Sequence, residues 1–269
     1  MVKRYVIALI LCAAALITET QFAASQPARE SVEADVSTRS VSITSSFTGT
    51  EILIFGTVEN SKQPSAEAGT YDVVVVVEGT PAPVMVRQKS NVAGLWVNTK
   101  GVRFASFPSY YAIASTRPVD EIAENAVLDK NEIGFGHVRM APAGSGRTTP
   151  TDPGEVKSFR DAVIRLKQRD RLYLTADYGV TFIGRSLFRS TITLPPNVPV
   201  GPLVTRVYLL KEGQLLSQYK SQVILERAGL ERFLHDRAYG SPLLYGLATV
   251  LLAAAAGLVA AFAFRRAVH

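Results

Sequence analysis

An uncharged apolar run near the end of the chain constrains this sequence most. "PLLYGLATVLLAAAAGLVAAFAF", from Pro242 to Phe264, has 23 residues and no charge. That is long enough to cross the hydrocarbon core of a bilayer as a helix with some tilt. A transmembrane helix is therefore predicted over 241–264. Arg265 and Arg266 follow it as a cytoplasmic stop, and Tyr245 suits the opposite interface.

The other end supplies the orientation. "MVKR" is a short basic start, "YVIALILCAAALI" is an apolar run of 13, and "TETQFAASQPA" turns small and polar. This order reads as a secretory signal peptide over 1–25, with cleavage near Ser25. Cys12 lies inside it. Leu11, not a small residue, precedes that cysteine, so lipidation is rejected. The expected topology is type I: an external domain over 26–240, one helix, and a cytoplasmic tail over 265–269.

Cleavage would remove the single cysteine, which excludes disulfides, a thiol nucleophile and cysteine metal sites from the mature chain. Without Lys3, Arg4 and Glu19, 27 basic and 22 acidic residues remain, a charge of +5. That mild excess suits a surface near anionic lipid better than a nucleic-acid binder.

Between the two runs the chain is dense in strand signals. "RSVSITSSF" places Val41, Ile43 and Phe47 on one face, and "EILIFGTV" is apolar on both. "YDVVVVV", Tyr71 to Val77, is continuously β-branched and reads as a central buried strand. "VMVRQK" reads as an edge strand after two prolines. "LWV" and "VRF" read as short strands around an "NTKG" turn, followed by "YYAIAST". On that reading Trp96, Phe104 and Tyr111 fill one core, while Phe107, Pro108 and Tyr110 sit at a turn as candidate partner contacts.

Two helices interrupt the pattern, near 118–130 and 153–172. "IGFGHVRM" between them suggests one more strand, and "APAGSGRTTPTDPG" is a loop. In the second helix Asp152 caps, Pro153 takes the first position and Glu155 completes a capping box. Val156, Phe159, Val163 and Leu166 form its apolar stripe. Lys157, Arg160, Arg165, Lys167 and Arg169 form a basic face, which is either ordinarily solvated or a docking surface for an anionic membrane or acidic partner. "SLFRSTITL", "LVTRVYLL" and "LLSQYKSQVIL" alternate as strands, with a "KEGQ" hairpin turn between the last two. The expected class is mainly β: immunoglobulin-like sandwich portions, one domain or two, with a helical insertion and one C-terminal transmembrane helix.

No reaction is written in the sequence. His137, His235 and His269 share no metal-binding spacing, no serine lies in a nucleophile-elbow motif, and "GFG" at 134–136 lacks a dinucleotide context. No enzyme and no cofactor are expected. In the membrane helix, Ala253, Gly257 and Ala261 recur every fourth residue, a spacing that either admits a second helix closely or is alanine filler.

"FTGTEILIFG", "YDVVVVVEG", "GLWVNTKGVRFASFPSYYAIASTRP", "FRDAVIRLKQRDRLY" and "LPPNVPVG", with the terminal "PLLYG" helix and "RR", resemble a family of uncharacterised alphaproteobacterial transmembrane proteins. The resemblance runs from about Val41 to Arg266. It implies a periplasmic accessory subunit in the bacterial inner membrane, beside a permease of the sulfite-exporter type handling sulfur oxyanions. It carries no catalytic residues. The expected partners are thus an inner-membrane permease or other membrane protein and the lipid bilayer, and not nucleic acid. The alternative is a stand-alone envelope module for ligand binding or stress.

Overall fold

The computed structural model describes residues 29–138, 140, 143, 152–228 and 237–265. The expected leader, most of the loop after Met140 and the tail beyond Arg265 lie outside them.

The protein is mainly β, as its alternating segments predict, with few helices and one apolar C-terminal helix. The strands are β1 (Ser31–Val36), β2 (Ser40–Ile43), β3 (Thr50–Glu59), β4 (Asp72–Gly79), β5 (Pro81–Val92), β6 (Leu95–Pro108), β7 (Tyr111–Ser115), β8 (Tyr173–Ala176), β9 (Val180–Ile183), β10 (Leu187–Leu194), β11 (Gly201–Lys211) and β12 (Gln214–Arg227). Sheet A runs β1-β3-β10-β9 and sheet B runs β2-β12-β11-β4-β7-β8, while β5 and β6 pair with each other as a separate ribbon. Helices α1 (Val119–Ile122), α2 (Asn125–Asn131) and α3 (Pro153–Arg169) belong to the insertion, and α4 (Pro242–Arg265) is the apolar helix.

Period-two alternation builds the space between the sheets. Ile52 and Ile54 of β3 and Phe188, Ile192 and Leu194 of β10 turn inward, against Leu203, Val207 and Leu209 of β11 and Val223 and Leu225 of β12. Each such side chain stabilises the fold by about 1.5–3 kcal/mol relative to exposure. The facing sheets are compatible with an immunoglobulin-like sandwich.

Sheet B is covered on its other face too. β4 is the strand that requires this, because Val73 to Val77 are all fully buried and so point to both sides. The insertion supplies the second cover. Tyr208 donates to the Asn131 carbonyl (3.0 Å) and Tyr111 to that of Glu132 (2.9 Å), fixing the end of α2 onto β11 and β7. Phe135 stacks on Tyr173 with ring centroids 5.3 Å apart. The described residues 133–138 of "IGFGHVRM" thus form no strand. Glu132 and Gly134 have positive φ and turn the chain, while Ile133 and Val138 drop into the layer.

An ion pair between partly exposed Arg117 and buried Asp72 closes one end of β4. Arg117 grips Asp72 through two hydrogen bonds of 2.8 Å, and Thr116 adds a third at 2.9 Å. α3 starts as its sequence predicts, with Asp152 accepting from the Glu155 amide at 3.0 Å, a cap worth about 1 kcal/mol. The Glu155 side chain does not close the box; it reaches Lys100 of β6 at 2.6 Å.

Gly56 marks the tightest backbone approach. A Cβ there would lie 2.4 Å from the Glu33 carbonyl and 2.5 Å from the Phe188 ring. Gly56→Ala is expected to destabilise the protein by about 2–3 kcal/mol, because β1 and Phe188 must both shift. Thermal unfolding of the full chain in detergent, followed by near-UV circular dichroism, measures this; an unchanged midpoint contradicts it.

Candidate interaction surface

The most exposed apolar feature outside α4 is the β5–β6 ribbon. Its sequence contains Arg87, Lys89, Lys100 and Arg103, and no acidic residue occurs from Thr80 to Val119. The chain reverses at Ala93 and Gly94, both with positive φ (54° and 87°), the signature of a two-residue hairpin turn matched to strand twist. Asn91 Oδ1 accepts from the Gly94 amide at 2.9 Å and secures the turn. The predicted "NTKG" turn is therefore corrected: β6 runs unbroken through it. Gln88 pairs with Lys100 and Lys89 with Asn98, leaving Thr99 as a bulge. Gly101 serves a close approach instead, since a Cβ there would meet the Val86 carbonyl at 3.1 Å.

The ribbon divides along its length. At its base, Val102, Phe104 and Phe107 are fully buried, and Phe107 stacks on Tyr173 at 6.0 Å. At its tip, Leu95 is 70% and Trp96 68% exposed, with Val92 at 52% beside them. Trp96 is thus not a core residue, although Phe104 and Tyr111 are. The core ends where the base ends, and β6 carries the tryptophan past it. Register sets the face: Asn91 opposes Trp96 and Lys89 opposes Asn98, so Trp96 shares the ribbon face of Lys89 and Arg87, and of Arg103 opposite Met85.

The predicted contacts at Phe107, Pro108 and Tyr110 are not exposed. All three are buried, because the segment crosses between layers. Tyr173 donates to the Pro108 carbonyl at 2.9 Å, and Tyr110 donates to the Thr193 carbonyl of sheet A at 2.8 Å. On α3, Lys157, Arg165 and Arg169 are exposed. Arg160 turns inward instead and donates to the carbonyls of Phe135, Gly136 and Val138, so it pins the insertion and is not part of a free basic face. Lys167 donates to the Ser109 carbonyl at 3.2 Å, and burial lowers its pKa. Ala253, Gly257 and Ala261 are exposed on α4.

Two further features were not read from the sequence. A cleft of about 590 Å³ opens between the sheets, lined by Thr50, Glu51, Arg171, Thr175, Thr193 and Pro195 among others. Glu78 of β4 pairs with Arg206 of β11, each side chain only 17% exposed. His137 lies 2.6 Å from Asp129, an ion pair when protonated, and no group of three or more His, Cys, Asp or Glu able to hold a metal occurs among the described residues. α4 holds a 21-residue stretch, Pro242–Phe262, of mean hydropathy 2.2, long and apolar enough to cross a membrane.

A family model described as "Putative transmembrane protein (Alph_Pro_TM)" matches residues 31–266. The chain belongs to this family. The match takes in both sheets, the ribbon, the insertion and the membrane helix, so Alph_Pro_TM covers the tether together with what is tethered. No curated protein matches the chain.

The buried pair predicts a pH dependence. Desolvation raises the Glu78 carboxyl above its ordinary value, against the opposing pull of Arg206. The folded state therefore holds this proton more tightly than the unfolded chain does. The stabilising contribution is complete below the unfolded-state value and is lost as pH rises through the raised folded-state value. Glu78→Gln is expected to gain in melting temperature relative to the native protein between about pH 4 and pH 7, whatever constant offset comes from leaving Arg206 without a counter-charge. Melts of both proteins across that range test this; a difference independent of pH contradicts it.

Proposed function

We propose that this protein is a non-catalytic accessory subunit, working at the extracytoplasmic face of the membrane that anchors it. The carrying observation is α4, one helix long and apolar enough to cross a membrane, joined to a folded β domain and exposing Ala253, Gly257 and Ala261. The cationic side chains that pin the fold are engaged: Arg117 by Asp72, Arg206 by Glu78 and Arg160 by three carbonyls. These supply no free buried charge for a sulfur oxyanion, so substrate selection is assigned to the partner. In this reading the partner is a permease-type membrane protein, met in the bilayer through the Ala253, Gly257 and Ala261 face of α4. In the same reading the orientation is type I, with the β domain in the periplasm and the C-terminus in the cytoplasm.

The second reading is a stand-alone ligand-binding module, which the cleft beside Arg171 favours. Arg171→Glu separates the two. It leaves recovery of a membrane partner unchanged if the protein is an accessory subunit, and abolishes complementation of a deletion strain if the cleft is the working site.

The direct test is affinity purification of the tagged full chain from membranes in mild detergent, with mass spectrometry of what accompanies it. Native protein is expected to bring down a polytopic membrane protein in near-stoichiometric amount. A variant with leucine at positions 253, 257 and 261 is expected to lose it. Recovery of this protein alone in both cases overturns the accessory reading.

A further inference from the structure

The exposed ribbon and the membrane helix are connected by topology. β4 is antiparallel to β11, and β11 is antiparallel to β12, so β4 and β12 run in the same direction. Gly79 pairs with Leu203, and Leu203 with Val223. β4 and β12 therefore leave sheet B at the same end: Gly79 and Val223 lie two strand spacings or about 10 Å apart, and β12 runs on past that point to Arg227. β4 leads there into the ribbon, and β12 leads into the segment before α4. Thr80, the residue between β4 and β5, donates to the Pro202 carbonyl at 3.3 Å and holds the ribbon's root at that end.

Lengths follow from covalent geometry. Eight residues separate Ala228 from Arg237, and the chain between them reaches about 30 Å at most. The 14 residues of β6 span about 45 Å. The whole connection from Arg227 to the start of α4 at Pro242 reaches about 50 Å at most, so ribbon and tether are of comparable reach.

Its chemistry is that of an interfacial element. Trp96 stands at the tip with Leu95 and Val92, and the ribbon face below it carries Lys89, Arg87 and Arg103. Indole rings settle at the headgroup level of a bilayer, and lysine and arginine just outside it are drawn to anionic lipid. A buried protein interface disfavours lysine at its centre. No carboxylate between Thr80 and Val119 opposes the attraction.

We propose that the β5–β6 ribbon is a membrane-contacting arm: Trp96, Leu95 and Val92 enter the interface of an anionic bilayer, and Arg87, Lys89 and Arg103 meet lipid phosphates. The proposal depends on α4 spanning the membrane, and not on any protein partner. The arm and α4 would fix the β domain at two points, setting its tilt as well as its distance from the lipid.

Trp96 is the only tryptophan of the chain, so its fluorescence reports the tip alone. The full chain is reconstituted by α4 into nanodiscs of phosphatidylcholine, with or without phosphatidylglycerol, and with or without lipid brominated near the headgroup. In anionic discs the emission is expected to shift to the blue and to be quenched about twofold by brominated lipid, as for an interfacial indole. The paired variant Arg87→Glu and Lys89→Glu changes two exposed side chains. It is expected to return the emission to that of a solvated tryptophan, with an unchanged far-UV spectrum. Emission that stays solvated and unquenched in anionic discs overturns the proposal. So does quenching equal in neutral and anionic discs and indifferent to the charge reversal. A shift that appears only when a membrane protein is co-reconstituted also overturns it, and would hand the tip to that partner. The first two outcomes leave open whether a permease copurifies through α4, so the two ideas fail separately.

Discussion

Everything in the β domain follows from five consecutive valines. Val73 to Val77 leave no side of β4 that tolerates water, so the strand must lie inside a sheet covered twice. Sheet A covers one face. The insertion covers the other, and the Tyr111 and Tyr208 hydroxyls each donate to one of its carbonyls, which avoids the cost of orphaning those polar groups. Each end of β4 carries one carboxylate beside an arginine, Asp72 with Arg117 and Glu78 with Arg206 of the neighbouring strand.

That double cover also explains where the domain spends surface. Because the insertion needs anchoring, the base of the ribbon is recruited into the same layer through Phe104 and Phe107, and Lys100 joins Glu155 on α3. Only the distal part of the ribbon is left without a structural duty. A free two-stranded ribbon is marginal by itself; here its root is held by a core. Membership of the Alph_Pro_TM family extends across this whole assembly, which joins the core, the arm and the membrane helix as one unit.

Much of this was legible from residues. The valine run announced a buried strand, alternation placed Phe188, Ile192 and Leu194 inward, and Asp152 with Pro153 marked the start of α3. What was hidden has physical causes. β8 and β9 have four residues each, too short to display a period, and are held by neighbours such as Phe135 over Tyr173. "NTKG" carries stronger turn chemistry than "NVAG", yet the bulge at Thr99 lets β6 pass through it. Trp96 was misplaced because burial is the ordinary fate of tryptophan, and nothing local says where a core stops. The acid-free stretch from Thr80 to Val119 was the available signal. Phe107 and Tyr110 were misplaced for the converse reason: they flank a turn that lies between layers.

The pairing order carries one more consequence. β3 lies between β1 and β10, so sheet A closes only after Leu194, and sheet B, which includes β12, cannot be completed until the chain has been made almost to α4. Only 14 residues lie between the end of β12 at Arg227 and the start of α4 at Pro242. Strand closure between such distant partners is slow. The hydrophobic valine strand must therefore wait for the last third of the polypeptide, where its neighbour β11 lies. The apolar helix α4 is then made almost as soon as sheet B can close.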